Sequence, residues 1–582
     1  MSVLVVVEGN DPEPALTNSG NGIAENLTPM ELCGSLQRAA NPEHGEIEAM
    51  PKRFRNKDIA WRAYRGLMRI QRGEQETAAE YSIVAPDRQP LPFAAFTDGQ
   101  RVRDALRAAP FKFMVPGTRS RLGFAYASCN GFSDPKKAEK LDDLNAMWRF
   151  MQDRQDGCRS KPVFPHAKDY DLPPGKHRAN HVLLLGGDQI YADNIYHDLD
   201  WLKRLNAKRQ QDFRDFALQA HHRADLEAFY FALYVDRWST ITEPRGHCIH
   251  SFATTPTLSM WDDHDIVDGW GSYDDAENQA DVSVGIFDAA RNGFRLFQQH
   301  LPLEGMADAA DATNMVDVRV ALSSINVEDR PTPTGTFSFA HRIDDIGIIA
   351  VDARSKRSRK AILDRDGWTG INNLLKQVSD DGKGPLRHVI VMLGIPAMHA
   401  DYSRLAPQAG SSSATLRELQ DDMFDHWATR EQRGERSRLM QTLFDHARDK
   451  YRVTLASGDV HIAVAAVIHD QRSPQRYNGD EIFQLTSSAI IHPPPSYMQL
   501  AGMELLFMHD EERISEGING RRITIGDGGP KSLRARNWMS LEFEAPHKNP
   551  EVNDRRDDTL WVNWFAEDET DSPYELPIKA VT

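Results

Sequence analysis

HVLLLGGDQIYAD, residues 181–193, decides how this chain is read. Val182, Leu183, Leu184 and Leu185 form an unbroken apolar run, the pattern of a strand buried on both faces, and the run stops at two glycines followed at once by an acid. Asp188 is thereby placed at the carboxyl end of a central strand, where Gly186 and Gly187 let the backbone turn sharply and leave room for a ligand. Tyr191 and Asp193 return two more oxygens within five residues, which is how a metal site is often seeded. Taken alone, the motif fits equally well an acid that caps the next helix.

At 582 residues the chain is too long for one ordinary core, so two or more domains or one heavily decorated domain are expected. Its composition, 40% hydrophobic and 26% charged, is that of a soluble globular protein. A formal charge of −16 argues against nucleic acid as a partner, because such a binder needs a basic surface to displace counterions. A small anionic substrate stays open, since bound metal ions reverse the field inside a site. Cys33, Cys129, Cys158 and Cys248 are too few and scattered for a disulfide framework, which points to a reducing compartment. The opening MSVLVVVEGNDPEP lacks a basic n-region, and the apolar stretch at 388–398 is too short to span a bilayer. A cytoplasmic protein with no membrane partner is expected; oligomeric state leaves no mark in the sequence.

Residues 1–115 read as an N-terminal accessory region, with short strands at 3–7 and 79–84 flanking a helix at 57–70. Beyond Arg121 a strand at 122–128 ends at Cys129 and Asn130. A helix at 137–151 then carries Leu141, Leu144, Trp148 and Met151 on one face, and long helices at 196–220 and 224–238 precede a strand at 256–260. That strand runs into WDDHDIVDGWG, residues 261–271, where four acids and a histidine fall in eight residues. Such charges repel one another unless cations or solvent absorb them, and Trp261, Ile266, Val267 and Trp270 argue for a place against the core rather than a solvated loop. A helix at 281–300 follows, then a hairpin of strands 336–342 and 347–351 turning at Asp344 and Asp345. The hairpin delivers Arg354, a candidate anion clamp or a surface salt bridge.

A strand at 388–393 meets Gly394, Ile395 and Pro396. The charged helical segment 414–450, with Leu416, Leu419, Met423 and Trp427 inward, leads to VTLASGDVHIAVAAVI, residues 453–468. Here a second apolar strand ends in Gly-Asp, and His461 follows Asp459 by two residues, either as a core histidine or as a ligand on a tight turn. Strands at 481–488, 522–525, 538–543 and 559–565 complete the pattern, with a main domain at 116–500 and a C-terminal extension at 501–582 packing on it.

Five strands thus end in potential ligands or clamps: Cys129, Asp188 with Tyr191, Asp263 with His264, Arg354, and Asp459 with His461. In open α/β sheets the carboxyl ends of strands are where sites are built, so these groups can meet in one crevice. No G-x-S-x-G elbow supports nucleophilic acyl transfer. Two ions roughly 3.5 to 4 Å apart suit the set, a shared carboxylate bridging them while a bound hydroxide attacks a phosphoryl group in line. Asp188 is the candidate bridge.

GDQIYAD, WDDHD and SGDVH, in this order with Ala127-Ser128-Cys129 upstream, resemble the alkaline phosphatase D (PhoD-like) family over about residues 121–494. The resemblance implies an α/β, calcineurin-like metallophosphoesterase sandwich of two mixed β-sheets flanked by helices. It also implies a phosphate mono- or diesterase with an iron and calcium pair, acting on a small phosphate-ester substrate. Carried onto this chain, it assigns Cys129, Asp188, Tyr191 and His461 to the first ion, where thiolate and phenolate favour ferric iron. Asp188, Asp263 and Asp459 go to a harder second ion, calcium, with manganese or zinc as alternatives. Asp263 stands where broader metallophosphoesterases have an asparagine, and His264 steadies the phosphoryl group or protonates the leaving oxygen. Which of Asp262, Asp263 and Asp265 touches metal stays open, and Gly394-Ile395-Pro396 replaces the family's Asn-Pro. Two other readings stand beside phosphate-ester hydrolysis: a phospholipase D-like diesterase on lipid head groups, and a non-catalytic scaffold.

Overall fold

The computed structural model describes residues 2–8, 12–20, 23–38, 59–68, 70–88, 110–118, 120–134, 136–137, 141–157, 179–239, 248–303, 336–379, 384–399, 426–429, 431–473, 475–506, 511–526, 528–544, 558–567 and 569–581. Its N-terminal part holds seven strands, β1 (Ser2–Glu8), β2 (Ala15–Gly20), β3 (Ile23–Pro29), β4 (Glu31–Arg38), β5 (Ile59–Leu67), β6 (Thr77–Val84) and β7 (Phe111–Val115), in two small sheets ordered β1-β5-β4 and β3-β2-β6-β7. The helix expected at 57–70 is instead β5, paired antiparallel with β1 and β4. Its side chains divide with the period of a strand. Trp61 and Ala63 join the core of the main domain, Trp61 stacking on Phe231 at 5.3 Å, while Tyr64 faces the N-terminal core. Neighbouring strands on both sides override the local helical preference.

The main body is a sandwich. Its first sheet contains β8 (Leu122–Ala127), β9 (Val182–Gly186) and β10 (Thr257–Met260), parallel to one another, with β20 (Asn537–Phe543), β21 (Thr559–Ala566) and β22 (Glu569–Lys579) added antiparallel on the β8 side. The second sheet contains β11 (Phe339–Ile343), β12 (Ile346–Val351), β13 (His388–Leu393), β14 (Arg452–Ser457), β15 (Ala463–Asp470), β16 (Glu481–Thr486), β17 (Glu511–Ser515) and β18 (Ile518–Ile523), and the short β19 (Ser532–Leu533) pairs with β15. Strands β12, β13, β14 and β16 run parallel and the remainder antiparallel, so both sheets are mixed.

Period-two alternation tells each strand which layer it fills. Leu184 and Tyr126 meet Ile348, Ile390 and Ala456 between the sheets. Leu183 and Leu185 face outward onto Met147, Trp148 and Met151 of the helix Ala146–Gly157, and Val389, Val391 and Leu455 face the other outer layer. There the helix Arg365–Ser379 covers them with Trp368, Ile371, Leu374, Leu375 and Val378, an i, i+3, i+6, i+7, i+10 stripe. This is the two-sheet architecture that the resemblance implied. Strands on both sides of residue 500 share both sheets.

Other elements differ from expectation for visible reasons. Lys137 lies in a short turn, and the helix expected from it begins at Ala146. The helix expected at 196–220 is three pieces, Ile195–Asp198, Asp200–Asn206 and Gln210–Arg214, because Leu199 (ψ 105°) and Arg209 (ψ 149°) are extended. The helix from Asp281 is α-helical to Gly293, then opens into a π turn, Phe294–Gln298, which carries Gln298 to Asp265 at 3.3 Å. Of the segment 414–450, the helix Arg433–Ala447 is seen; Leu416, Leu419, Met423 and Cys158 lie outside the described residues.

Candidate metal centre

The loops at the carboxyl ends of β8, β9, β10 and β14 bring their donors together into one crevice, which reaches solvent through the part-buried His264, Asp459 and His461. Cys129, Asp188 and His461 offer ligand atoms within 4.8 Å of one another; so do Asp188, Asp263 and His264, and so do Asp262, Asp263 and Asp459. Asp188 and Asp263 each belong to two of these groups, so the donors form one chain rather than three sites. Tyr191 joins the first group, its hydroxyl 3.4 Å from His461 Nε2. Every expected ligand is therefore gathered here.

Unusual backbone puts them there. Cys129, Asp188, Tyr191, Asp459 and His461 all have φ between 51° and 71°, the left-handed region that non-glycine residues avoid at about 1–2 kcal/mol each. Strain concentrated on five candidate ligands is the signature of a site that the fold holds in place. Cys129 N donates to Gly187 O at 3.3 Å, and Asn130 N to Asp188 O at 2.8 Å. Ser488 ties the ends together: its hydroxyl lies 3.0 Å from Cys129 Sγ and accepts from His461 N at 3.0 Å. Gly187 and Gly394 make room for Asp262, since a Cβ would come within 2.6 Å of Asp262 Cβ at the one and 2.5 Å of Asp262 Oδ2 at the other. Ile395, at the position where the resemblance implies an asparagine, is turned into the outer core of the second sheet.

The WDDHD run divides its labour. Asp262 and Asp263 face the crevice, whereas Asp265 Oδ1 accepts from Gln189 N (2.8 Å) and Ile190 N (3.2 Å), and its Oδ2 from Asp262 N (3.1 Å). Asp265 is thus the brace between the two acidic loops. Asp193, read from sequence as another oxygen donor, instead holds His264: its carboxylate oxygens lie 2.9 and 3.0 Å from Nδ1, which leaves Nε2 as the working nitrogen. The His264 ring also stacks on Tyr191 at 4.5 Å.

Arg354 departs from its expected role. It is fully buried, its Nε bonded to Asp262 Oδ1, its Nη2 3.2 Å from Asp263 Oδ1 and its Nη1 3.2 Å from Trp270 O. It is a counter-ion beneath the acids, not a clamp at their mouth. Asp352 fixes it by accepting from Arg354 N at 3.0 Å and Trp261 Nε1 at 2.9 Å.

The charges explain what the pocket fits. Burial, then the Asp263, Asp262 and Asp459 carboxylates, hold Asp188 well above the usual carboxylate range, against the pull of His264. Burial and Asp188 raise the Cys129 thiol, burial and Cys129 raise the Tyr191 phenol, and burial with His492 keeps His461 a neutral imidazole. Burial disfavours charge on His264, but Asp193, Asp263, Asp268 and Asp188 together lift it well above its ordinary value. Asp188 Oδ1 is buried without a hydrogen-bond partner among the described residues. Anionic donors crowded into one another and an orphaned carboxylate oxygen are the arrangement that a cation relieves. The residues present fit metal.

Sequence reasoning missed several neighbours. Tyr126, whose hydroxyl is buried behind Gly186, looked like any strand residue; His492 and Lys137 gave no signal beyond their residue type. His426 Nδ1 lies 3.6 Å from Asp459 Oδ2.

A family described as PhoD related phosphatase matches residues 174–415 and 408–528 of the chain. An uncharacterized protein of Saccharomyces cerevisiae, YGR266W, is 24% identical over 513 residues, spanning 76% of this chain and 68% of its own. Among solved structures, one titled as that of PhoD is 11% identical, with a TM-score of 0.48 over 99% of this chain and 88% of the other. A purple acid phosphatase from yellow lupin (Lupinus luteus) seeds is 10% identical, with a TM-score of 0.45 over 99% and 72%.

Proposed function

The chain belongs to the PhoD related phosphatase family, and on that premise we propose that it hydrolyses phosphate esters at two metal ions gathered by the crevice. One ion is assigned to Cys129, Asp188, Tyr191 and His461, the other to Asp188, Asp262, Asp263 and Asp459. The observation that carries this reading is the set of overlapping donor groups at the strand ends of both sheets, linked through Asp188 and Asp263, with Cys129, Asp188, Asp262 and Asp263 buried and His264, Asp459 and His461 part-buried. Thiolate, phenolate and imidazole together favour ferric iron, and the carboxylates favour calcium or manganese. When bound, such a pair supplies Lewis acidity and an acidified water.

The remaining chemistry falls to the chain itself. His264, fixed through Nδ1 by Asp193, presents Nε2 to protonate a leaving oxygen or steady the transferring group. Arg354 neutralises part of the Asp262 and Asp263 charge, so the acids can sit buried side by side. Among the described residues Cys33, Cys129 and Cys248 form no disulfide, which supports a reducing, cytoplasmic setting. Among the described residues no helix is long and apolar enough to cross a membrane.

The test is metal analysis of purified protein with an absorption spectrum, followed by turnover of nitrophenyl phosphate and bis-nitrophenyl phosphate. Iron with a second metal, a visible charge-transfer band and hydrolysis of either ester are expected. Protein that stays colourless and inert after reconstitution with iron and calcium, manganese or zinc overturns the reading.

A further inference from the structure

With Arg354 occupied by Asp262 and Asp263, a different cation stands at the edge of the crevice. Lys137 lies on the loop that begins with Cys129, in a turn closed by Lys137 N donating to Asp134 O at 2.9 Å. Its Nζ is 2.9 Å from His492 Nε2. His492 Nδ1 faces Pro493 O at 2.8 Å, and a carbonyl only accepts, so Nδ1 carries the proton and Nε2 receives from the ammonium. The His492 ring lies flat on His461, centroids 3.5 Å apart at 9°, and 6.2 Å from the Tyr191 ring. His492 N is also bonded to Cys129 O at 3.2 Å, so the residue offering the thiol also positions the imidazole that carries the lysine.

The ammonium is thus set one ring away from a candidate ligand. Among the described residues its ammonium is hydrogen-bonded to a neutral imidazole and forms no ion pair with a carboxylate. Lysine has three N–H donors; His492 uses one and two remain for oxygen acceptors.

We infer that Lys137, seated on His492, is the substrate-binding cation of the crevice and that it receives a dianionic, terminal phosphoryl group. A phosphomonoester dianion gains more from this point charge than a diester monoanion, so the lysine sets a preference for monoesters. This inference rests on the proposed phosphate-ester chemistry and deepens it to a substrate class.

The test compares wild type with Lys137→Met and Lys137→Arg. Metal content is measured first and is expected to be unchanged. For Lys137→Met, KM for nitrophenyl phosphate and Ki for inorganic phosphate should rise roughly tenfold, the loss of a charge-assisted hydrogen bond, with kcat changed much less. The kcat/KM for bis-nitrophenyl phosphate should stay within about twofold of wild type, and Lys137→Arg should recover most of the monoester loss. Equal losses on both esters, lost metal, or unchanged KM and Ki overturn the inference. If wild type turns over neither ester, the functional reading falls, and calorimetry of inorganic phosphate with wild type and Lys137→Met decides the lysine's role: weaker binding by the variant supports it, equal binding overturns it.

Discussion

Where Cys129, Asp188, Tyr191 and His461 meet, the donors are a thiol, a carboxyl, a phenol and an imidazole; among the described residues no arginine is paired with them, and the cation beside Asp188 is His264. Where Asp262, Asp263 and Asp459 meet, the donors are all carboxylates, and Arg354 is already wedged under two of them. The first half is held by left-handed backbone at all four residues; in the second, Asp459 shares that conformation, but Asp262 is extended and caps its own short turn. A buried charge can be met by a resident guanidinium or left for an exchangeable ion, and the two halves take different courses. The first half therefore depends on metal for its ionisation, whereas the second is partly neutralised beforehand.

The sharpest break of this contrast is at the residue both halves share. Asp188→Asn should lose both ions and lower kcat/KM by about 10³-fold or more, with the circular dichroism spectrum unchanged. Next come separate breaks. Cys129→Ser should abolish the visible band and the first ion, while Asp459→Asn empties the second and leaves the colour, each reducing turnover by roughly 10²-fold. Loss of the same metal from both variants would erase the division. Arg354→Met should cost about 3–5 kcal/mol in denaturant unfolding with chelator present, because it strands two buried carboxylates, and less when metal is added. An equal deficit in both conditions would mean that the guanidinium and the ion do not share the charge. The smallest effect is expected at Gln298→Leu, which removes the 3.3 Å bond to Asp265 and the 3.0 Å bond to the Tyr234 hydroxyl at about 1–2 kcal/mol while metal content and kcat stay the same. A fall in kcat there would move Asp265 from brace to participant.

The parts of this architecture legible in sequence are those whose burial is written locally. Strands β9 and β13 read as strands because both faces are covered, so every residue from Val182 to Leu185 and from Val389 to Leu393 is apolar. The Gly-Asp endings of β9 and β14 announced the crevice for the same reason. What stayed hidden depends on distant partners. Arg354 and Asp262 are 92 residues apart, Lys137 and His492 355, and no spacing rule links them. Nor does residue type separate Asp262 and Asp263, which face the crevice, from Asp265, which braces; the tight turn at 263–265 decides that. Strand β5 was misread because its two-sided cover comes from β1, β4 and Phe231 rather than from its own pattern.

The position of β20 has a consequence for how the protein is born. It lies between β8 and β21, with Tyr126 opposite Met539, so a strand made early waits for one made late. While a ribosome is still extending the chain, β8 has an uncovered edge, and Cys129 at its end is a bare thiol beside an open backbone ladder. Pairings this distant in sequence form slowly and leave the intermediate prone to association. Maturation of the centre is thereby tied to the synthesis of residues 537–543, which close the sheet beside β8.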